Sequence, residues 1–331
     1  MIRAAVIFTN YGPYHVARAE VLTKIEAIEP IFIELGSEDR DIPWEPDRKA
    51  ISDSLVTLVD GVYDEIPTSV LVRRLFDTLD DVSPDAVAIS NYGLTSMRAA
   101  ARWAKAHGKI SVLMSTTTGL DRDRVWWREL WKRWWIPRHF DAALTVGTAS
   151  RGYLINLGME PDRVWVGCNV VDNEYFASEA KVARSRMKEA RGMLGLPDRF
   201  FLFVGRLSPE KNLIRLLQAY RQYTDGESQP WGLVLVGGGP EVEALTAVAK
   251  DLALEDVVWA GFKQLGELPS YYALASGFVL PSISESWGLV VNEAMASGLP
   301  VLVSNRCGCA TDLVDEGKNG YSFNPYDISE I

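Results

Sequence analysis

Within SESWGLVVNEAMAS, residues 284–297, two carboxylates bracket what reads as the start of a helix. Glu285 and Glu293 lie on either side of Gly288, Ser286 is placed to cap, and Leu289, Val290, Ala294, Met295 and Ala296 are helix formers. A helix start attracts anions. An acid on either side therefore asks for a ligand that is anionic in its middle and neutral at its ends. If residues 285–293 were all helix, the carboxylates would stand about 12 Å apart along the axis. That is too far to share one small group and suits opposite ends of a longer molecule. Upstream, VGRLSPEKN puts Arg206 and Lys211 between a strand and a helix, where fixed cations could neutralise the same anionic centre.

VGGGPEVEAL and AGFKQLGEL add two more strand-end loops. Three glycines before a helix let backbone approach a ligand closely. Gly237-Gly238-Gly239 continues Pro240, Glu241, Val242, so the last glycine of a G-x-G-x-x-G dinucleotide fingerprint is missing. This weighs against a nicotinamide-dependent oxidoreductase, and leaves Gly238 and Phe262 as contacts to a different ligand. A molecule with sugar hydroxyls at each end and a diphosphate between them fits the set. Glu285 and Glu293 would accept from hydroxyls, while N–H groups near Gly288, Leu289 and Val290, with Arg206 and Lys211, would hold the phosphates. Such a molecule is a nucleotide sugar.

These loops need strands to carry them. Short apolar runs (AAVIF, IFIEL, LVTLV, DAVAIS, ISVLM, AALTV, then FLFVG, WGLVLVG, VVWAG, GFVLPS, PVLVS, GYSFN) alternate with helical patterns such as SMRAAARWAKAHG and IRLLQAYRQY. Two successive sets of βα units predict two parallel, doubly wound sheets, with ligands beyond the carboxyl ends of the strands. The chain of 331 residues suits two domains: residues 1–172, a polar linker over 173–198, and residues 199–331. A net charge of −10 argues against nonspecific nucleic-acid binding. Three cysteines without a C-x-x-C pair fit a reducing compartment. The N-terminal MIRAAVIFTNYGPYH reads as a first strand rather than a signal peptide, and no apolar run reaches the length of a membrane span. The expectation is a cytoplasmic protein.

Taken in order, VGRLSPEKN, ESWGLVVNE, AMASGLPVLVS and DLVDEGKNGYSFNPYD closely resemble the family-4 (group 1) glycosyltransferases of the GT-B fold. The resemblance covers essentially the whole second half. It implies two Rossmann-like domains facing a cleft. It further implies a retaining transferase, with no bound metal or other cofactor, that moves a hexose-type sugar from a nucleoside diphosphate to a polysaccharide, glycolipid or metabolite. By this match Arg206 and Lys211 bind the diphosphate and stabilise its departure, Glu285 holds the donor sugar, and Glu293 binds the ribose. FTNYGPYHVARAEVL resembles the family's loop after the first strand, which makes Gly12 and His15 candidates for donor or acceptor contact. Many relatives carry a histidine after the strand that here reads DAVAIS; this sequence continues Asn91-Tyr92-Gly93, so Asn91 stands on the acceptor side. His107 and His139 read as a helix end and a polar turn. Relatives usually continue past NPYD into a helical tail, so a donor domain lacking that tail is expected. Another GT-B nucleotide-sugar enzyme, such as an epimerase, and a binding-only fragment are the alternatives. Asp121-Arg122-Asp123 matches the D-x-D metal string of GT-A transferases, but it lies in a polar connection that nothing else marks as a metal site.

RDRVWWRELWKRWWIPRHF holds five of the 11 tryptophans. At helical spacing Trp127, Leu130, Trp131 and Trp134 share one face. The reading carried forward is a core helix packed under the first sheet, giving at most transient membrane contact. The other reading is an interfacial helix, residues 124–136, docking near a lipid-linked acceptor.

Overall fold

The computed structural model describes residues 1–40, 43–121, 124–167 and 169–331. The chain forms two compact units, Met1–Thr117 with Arg124–Val170, and Thr118–Asp123 with Val171–Ile331. Each is built on one parallel sheet, as the alternating pattern predicts.

In the first unit, β1 (Ile2–Phe8), β2 (Ile28–Glu34), β3 (Leu55–Thr57), β4 (Ala86–Ile89), β5 (Ile110–Ser115), β6 (Ala142–Thr145) and β7 (Val164–Val166) lie in the order β3-β2-β1-β4-β5-β6-β7. Every described pairing is parallel, with Val6 opposite Phe32 and Ala88. Strand β7 was not expected. Its VWV is only three residues long, and two of the three are exposed at the sheet edge, so it carries little apolar pattern to read. Packing on this sheet buries Leu71, Leu75 and Leu79 of the Thr68–Val82 helix and Met97, Ala100, Trp103 and Ala104 of Thr95–Ala106.

In the second unit, β8 (Phe200–Val204), β9 (Gly232–Val236), β10 (Val257–Gly261), β11 (Gly277–Leu280), β12 (Val301–Ser304) and β13 (Gly320–Phe323) run in the order β10-β9-β8-β11-β12-β13. Strands β9 and β11 are buried throughout, the mark of a sheet covered on both faces. Residues 173–194 of the expected linker form two helices, Asn173–Ser185 and Met187–Leu194. The Asp172 carboxylate caps the first by accepting from Tyr175 N–H at 2.9 Å, and Phe176 packs edge-on to Tyr272 with ring centroids 6.1 Å apart. Both helices therefore count with the second unit.

Strand order reverses between β1 and β4 in one unit and between β8 and β11 in the other. Loops leaving neighbouring strands there diverge to opposite faces and open a crevice. The first unit's crevice is braced by Glu34, a fully buried carboxylate at the end of β2. It accepts from Tyr11 N–H at 2.9 Å and from the Thr57 hydroxyl at 2.8 Å, and pairs with Arg48 at 3.2 Å. Arg48 also donates to the Tyr11 and Ser37 carbonyls, at 3.2 and 2.8 Å. Charge buried in this way is tolerated because every partner is supplied. Nearby, His15 stacks on Phe8 with centroids 4.0 Å apart, and its Nδ1 finds no hydrogen-bond partner among the described residues. Burial, and then the Arg18 charge, push its pKa down to about 3 against an opposing bond from the Asn10 backbone.

Two outcomes are expected of this unit. Glu34→Ala strands Arg48 and the Tyr11 N–H, and should lower unfolding free energy by about 3 kcal/mol, read by denaturant titration; a loss near zero would mean the network is solvated. For His15, the unfolded chain takes up a proton below about pH 6.5 that the folded chain refuses down to about pH 3. Stability therefore falls with decreasing pH across that window, by up to about 1.4 kcal/mol per pH unit. His15→Gln should remove this component, so the variant gains on the parent as pH is lowered from about 7 to about 5. A difference between the two that does not vary with pH would place His15 in water.

Candidate nucleotide-sugar site

The second unit's crevice collects the sequence-derived residues from the ends of four strands. After β8 the chain turns at Gly205, Pro209–Lys211 makes one 3-10 turn, and Asn212 follows at φ +60°. Asn212 was not singled out from sequence, yet it fixes the geometry. Its side-chain amide donates to the Pro281 carbonyl at 3.1 Å and the Pro325 carbonyl at 2.8 Å, and Ile283 N–H donates to the Glu210 carbonyl at 2.9 Å. These bonds tie the β8 loop to the β11 loop. The tie brings Lys211 Nζ onto the Glu285 carboxylate as an ion pair whose side chains are only 16% and 18% exposed. Arg206 stands in the same loop, half-buried. Burial raises the pKa of Glu210, but the Ser208 hydroxyl, its own backbone and the charges of Lys211 and Arg206 outweigh that and hold the carboxyl below its ordinary value.

The glycine triplet has a different origin from the one the sequence suggests. A Cβ on Gly237 would lie 1.8 Å from the Gly205 carbonyl oxygen, and one on Gly239 would lie 2.3 Å from the Leu207 oxygen. Close approach of two backbones demands these glycines. Gly205 N–H donates to the Val236 carbonyl, Leu207 N–H to Gly238 and Gly237 N–H to Gly261, at 3.0, 2.8 and 2.9 Å, which laces the β8, β9 and β10 loops together. Gly238 alone has room: a Cβ there would meet nothing nearer than Phe262 at 3.9 Å. Phe262 is 36% exposed at the end of β10.

Beyond β11, residues 285–287 lie against residues 307–309. Gly308 N–H donates to the Glu285 carbonyl at 2.9 Å and Cys309 N–H to the Trp287 carbonyl at 3.2 Å. A Cβ on Gly308 would lie 2.0 Å from the Ser286 oxygen. Cys307 and Cys309 are buried free thiols whose pKa values burial pushes up, so they pack as neutral groups; Cys168 lies outside the described residues. The helix itself runs Leu289–Ala296. Ser286 does not cap it: the cap position is Gly288 at φ +100°, with no side-chain hydrogen bond. The first N–H groups of a helix have no carbonyl partner within it, and this start follows β11, where strand order reverses.

Glu293 sits in the second turn with no exposed surface, accepting from the Tyr272 hydroxyl at 2.7 Å. Helix therefore covers only part of the interval to Glu285, which lies in a loop and bridges to Cys307. The twelve-ångström figure does not apply to this chain. The structure brings Lys211 and Glu285 into contact and laces Gly238 and Phe262 beside their loop. Gly12, His15 and Asn91 lie in the other unit, at the ends of β1 and β4. Gly12 starts the Pro13–Thr23 helix, and the Asn91 side-chain Oδ1 accepts from Gly93 and Leu94 N–H at 3.1 and 3.3 Å. His107 and His139 each direct Nδ1 at the carbonyl one helical turn back, Trp103 and Trp135, at 2.8 Å.

A short segment from the β5 connection counts with this unit. Arg306 donates to the Leu120 carbonyl at 2.7 Å and the Ser284 hydroxyl donates to the Asp121 carbonyl. Asp121 is buried, and its carboxylate accepts from Thr118 N–H at 3.4 Å; Arg122 and Asp123 lie outside the described residues. Among the described residues no group of three or more His, Cys, Asp or Glu is arranged to hold a metal ion.

Residues 188–331 match the model of glycosyl transferases group 1. The chain is similar to the sulfoquinovosyl transferase of Arabidopsis thaliana, 29% identical over 280 residues, covering 81% of this chain and 52% of that protein. It is also similar to the D-inositol 3-phosphate glycosyltransferase of Acidothermus cellulolyticus, 35% identical over 191 residues, covering 54% and 41%. The chain thus spans about half the length of these relatives. Among solved structures, Anabaena HepE in complex with UDP superposes with TM-score 0.75 at 18% identity over 100% of this chain and 87% of that one. The sucrose-phosphate synthase of Thermosynechococcus elongatus gives 0.73 at 18% identity over 100% and 88%. The fold is that of the GT-B glycosyltransferases, and over residues 188–331 the chain is similar to the glycosyl transferases group 1.

Proposed function

We propose that this protein transfers a sugar from a nucleoside diphosphate sugar to an acceptor hydroxyl, with retention of anomeric configuration and without a metal. The observation that carries the reading is the Lys211–Glu285 pair beside a helix start that has no side-chain cap, at the point where strand order reverses. Breaking the bond between the anomeric carbon and the phosphate oxygen leaves negative charge on the diphosphate. Lys211, Arg206 and the N–H groups of Leu289 and Val290 are fixed positive groups of the kind that stabilise such charge, most strongly where water is excluded. They would do for the leaving group what a metal does in other transferases. Retention requires the acceptor oxygen to bond on the face the phosphate leaves. Glu285 would hold the sugar hydroxyls in that orientation and Glu293 the ribose, with the base against Phe262 and Gly238. Relatives whose names carry inositol phosphate, phosphatidylinositol and diacylglycerol acceptors support a polyol, glycolipid or glycan as the receiving group. Gly12, His15 and Asn91, at the first unit's own crevice, are assigned to the acceptor side. The odd number of cysteines, with no C-x-x-C pair, favours a cytoplasmic setting, where nucleotide sugars would meet the site.

Lys211→Ala should weaken UDP by a factor reflecting about 1.5–3 kcal/mol, the worth of a charge-assisted hydrogen bond, and slow release of UDP from a labelled sugar nucleotide. Unchanged affinity with unchanged rate would remove Lys211 from the site. The two glutamates should separate. Glu285→Gln frees Lys211 from its pair, so free UDP should bind at least as well while sugar transfer falls; Glu293→Gln should weaken free UDP through the ribose. Equal effects of both variants on free UDP, measured calorimetrically, would sink the end-to-end arrangement of the ligand. Release of a changed sugar nucleotide without transfer would favour an epimerase, and ligand retained without turnover a binding module.

A further inference from the structure

The Trp126–His139 helix of the first unit overturns the expectation of a tryptophan core. Only Trp135 and Ile136 are buried. Trp126 is 73% exposed, Trp127 54%, Leu130 57%, Trp131 39% and Trp134 54%. At 3.6 residues per turn these five side chains form one continuous arc of about 140°. Charge lies on the opposite side, toward the protein. Lys132 donates to Glu129 at 2.6 Å and to the Tyr153 hydroxyl at 2.9 Å, and that hydroxyl donates to the other Glu129 oxygen at 2.7 Å. Burial raises the Glu129 pKa, and the bonds from Lys132 and Tyr153 outweigh it and hold the carboxyl low. The helix is amphipathic in the reverse sense: its ion pair faces in and its aromatics face out.

A surface of four exposed tryptophans on one helix is unfavourable in water and calls for a covering. Its charge says which. Arg128, Arg133 and Arg138 are exposed around the aromatic arc, and Arg98 of the Thr95–Ala106 helix stacks over Trp131 at 5.9 Å. Over Trp126–His139 four basic residues against Glu129 give 4 − 1 = +3, in a chain whose net charge is −10. A second copy packed isologously on this face would bring one cationic rim against another. An anionic lipid surface instead accepts the arginine heads while the rings settle at headgroup depth, the level tryptophan prefers. Among the described residues no helix is long and apolar enough to cross a membrane, so contact of this kind is in the plane of the surface. We infer that the outward face of the Trp126–His139 helix docks the protein on an anionic bilayer surface. The inference stands on this face alone and does not depend on the donor-site reading.

The test uses the full chain with sedimented vesicles of phosphatidylglycerol and phosphatidylcholine, against vesicles of phosphatidylcholine alone. The parent should pellet with the anionic vesicles at low salt and be released as salt rises, since the arginine contribution is screened. Trp126→Ser with Trp134→Ser removes two exposed rings and leaves buried Trp135 in place, so the melt and the UDP-induced thermal shift should be kept while vesicle affinity falls at least about tenfold. Charge reversal at the exposed Arg128, Arg133 and Arg138 should give a similar loss and supplies the answer if the tryptophan variant does not fold. A parent that stays in the supernatant with anionic vesicles would overturn the inference. So would variants that bind as the parent does, or a parent dimer in solution that the tryptophan substitutions dissociate. Failure of the UDP shift in the parent would count against the donor reading and leave the vesicle result standing.

Discussion

In the second unit a lysine and a glutamate are held against each other by loops from neighbouring strands. Neither residue lies on an α-helix or on a strand of the sheet. Asn212 reaching across to Pro281, and Ile283 bonding back to Glu210, draw the two loops together; the ion pair follows from that seam. Being largely shielded from solvent, the pair is electrostatically stronger than a surface contact and more costly to break without a replacement. On the proposed reading an anionic ligand would be such a replacement for the lysine, and hydroxyls for the glutamate.

The first unit solves a parallel problem by burial. Glu34 and Arg48 brace the Tyr11 backbone where β1 gives way to its helix, so the loop ahead of Gly12 and His15 is anchored from behind. The two units thus repeat one architectural device, a crevice at the reversal of strand order, and equip it with different chemistry. Charge is mobile between partners in one. In the other it is locked inside the fold.

Twelve of the strands were legible because alternating apolar runs and helical patterns report burial directly, and β7 was not, because an exposed edge of three residues needs no apolar pattern. At the site, Glu285, Arg206 and Lys211 were visible as residue types at strand ends. Asn212 and Tyr272 were not, since a residue that bonds to a distant carbonyl or carboxylate leaves no periodic trace. The cap was misread for a related reason: Ser286 has the right chemistry and position in sequence, but its carbonyl is committed to close packing on Gly308, and the left-handed Gly288 takes the cap. The tryptophan helix was misread because helical spacing shows which residues share a face without showing which way the face points. Reversed amphipathicity is invisible until Glu129, Lys132 and Tyr153 are seen together.

The three consecutive glycines are unequal. The outer two are fixed by the backbone of a neighbouring loop, so any side chain there would push apart the strand ends that carry Lys211. The middle one has open space beside Phe262. An alanine or serine at that single position would narrow the recess beside the aromatic ring and leave the backbone seam, and the charges it positions, in place. The motif is a fixed frame around one position open to a side chain.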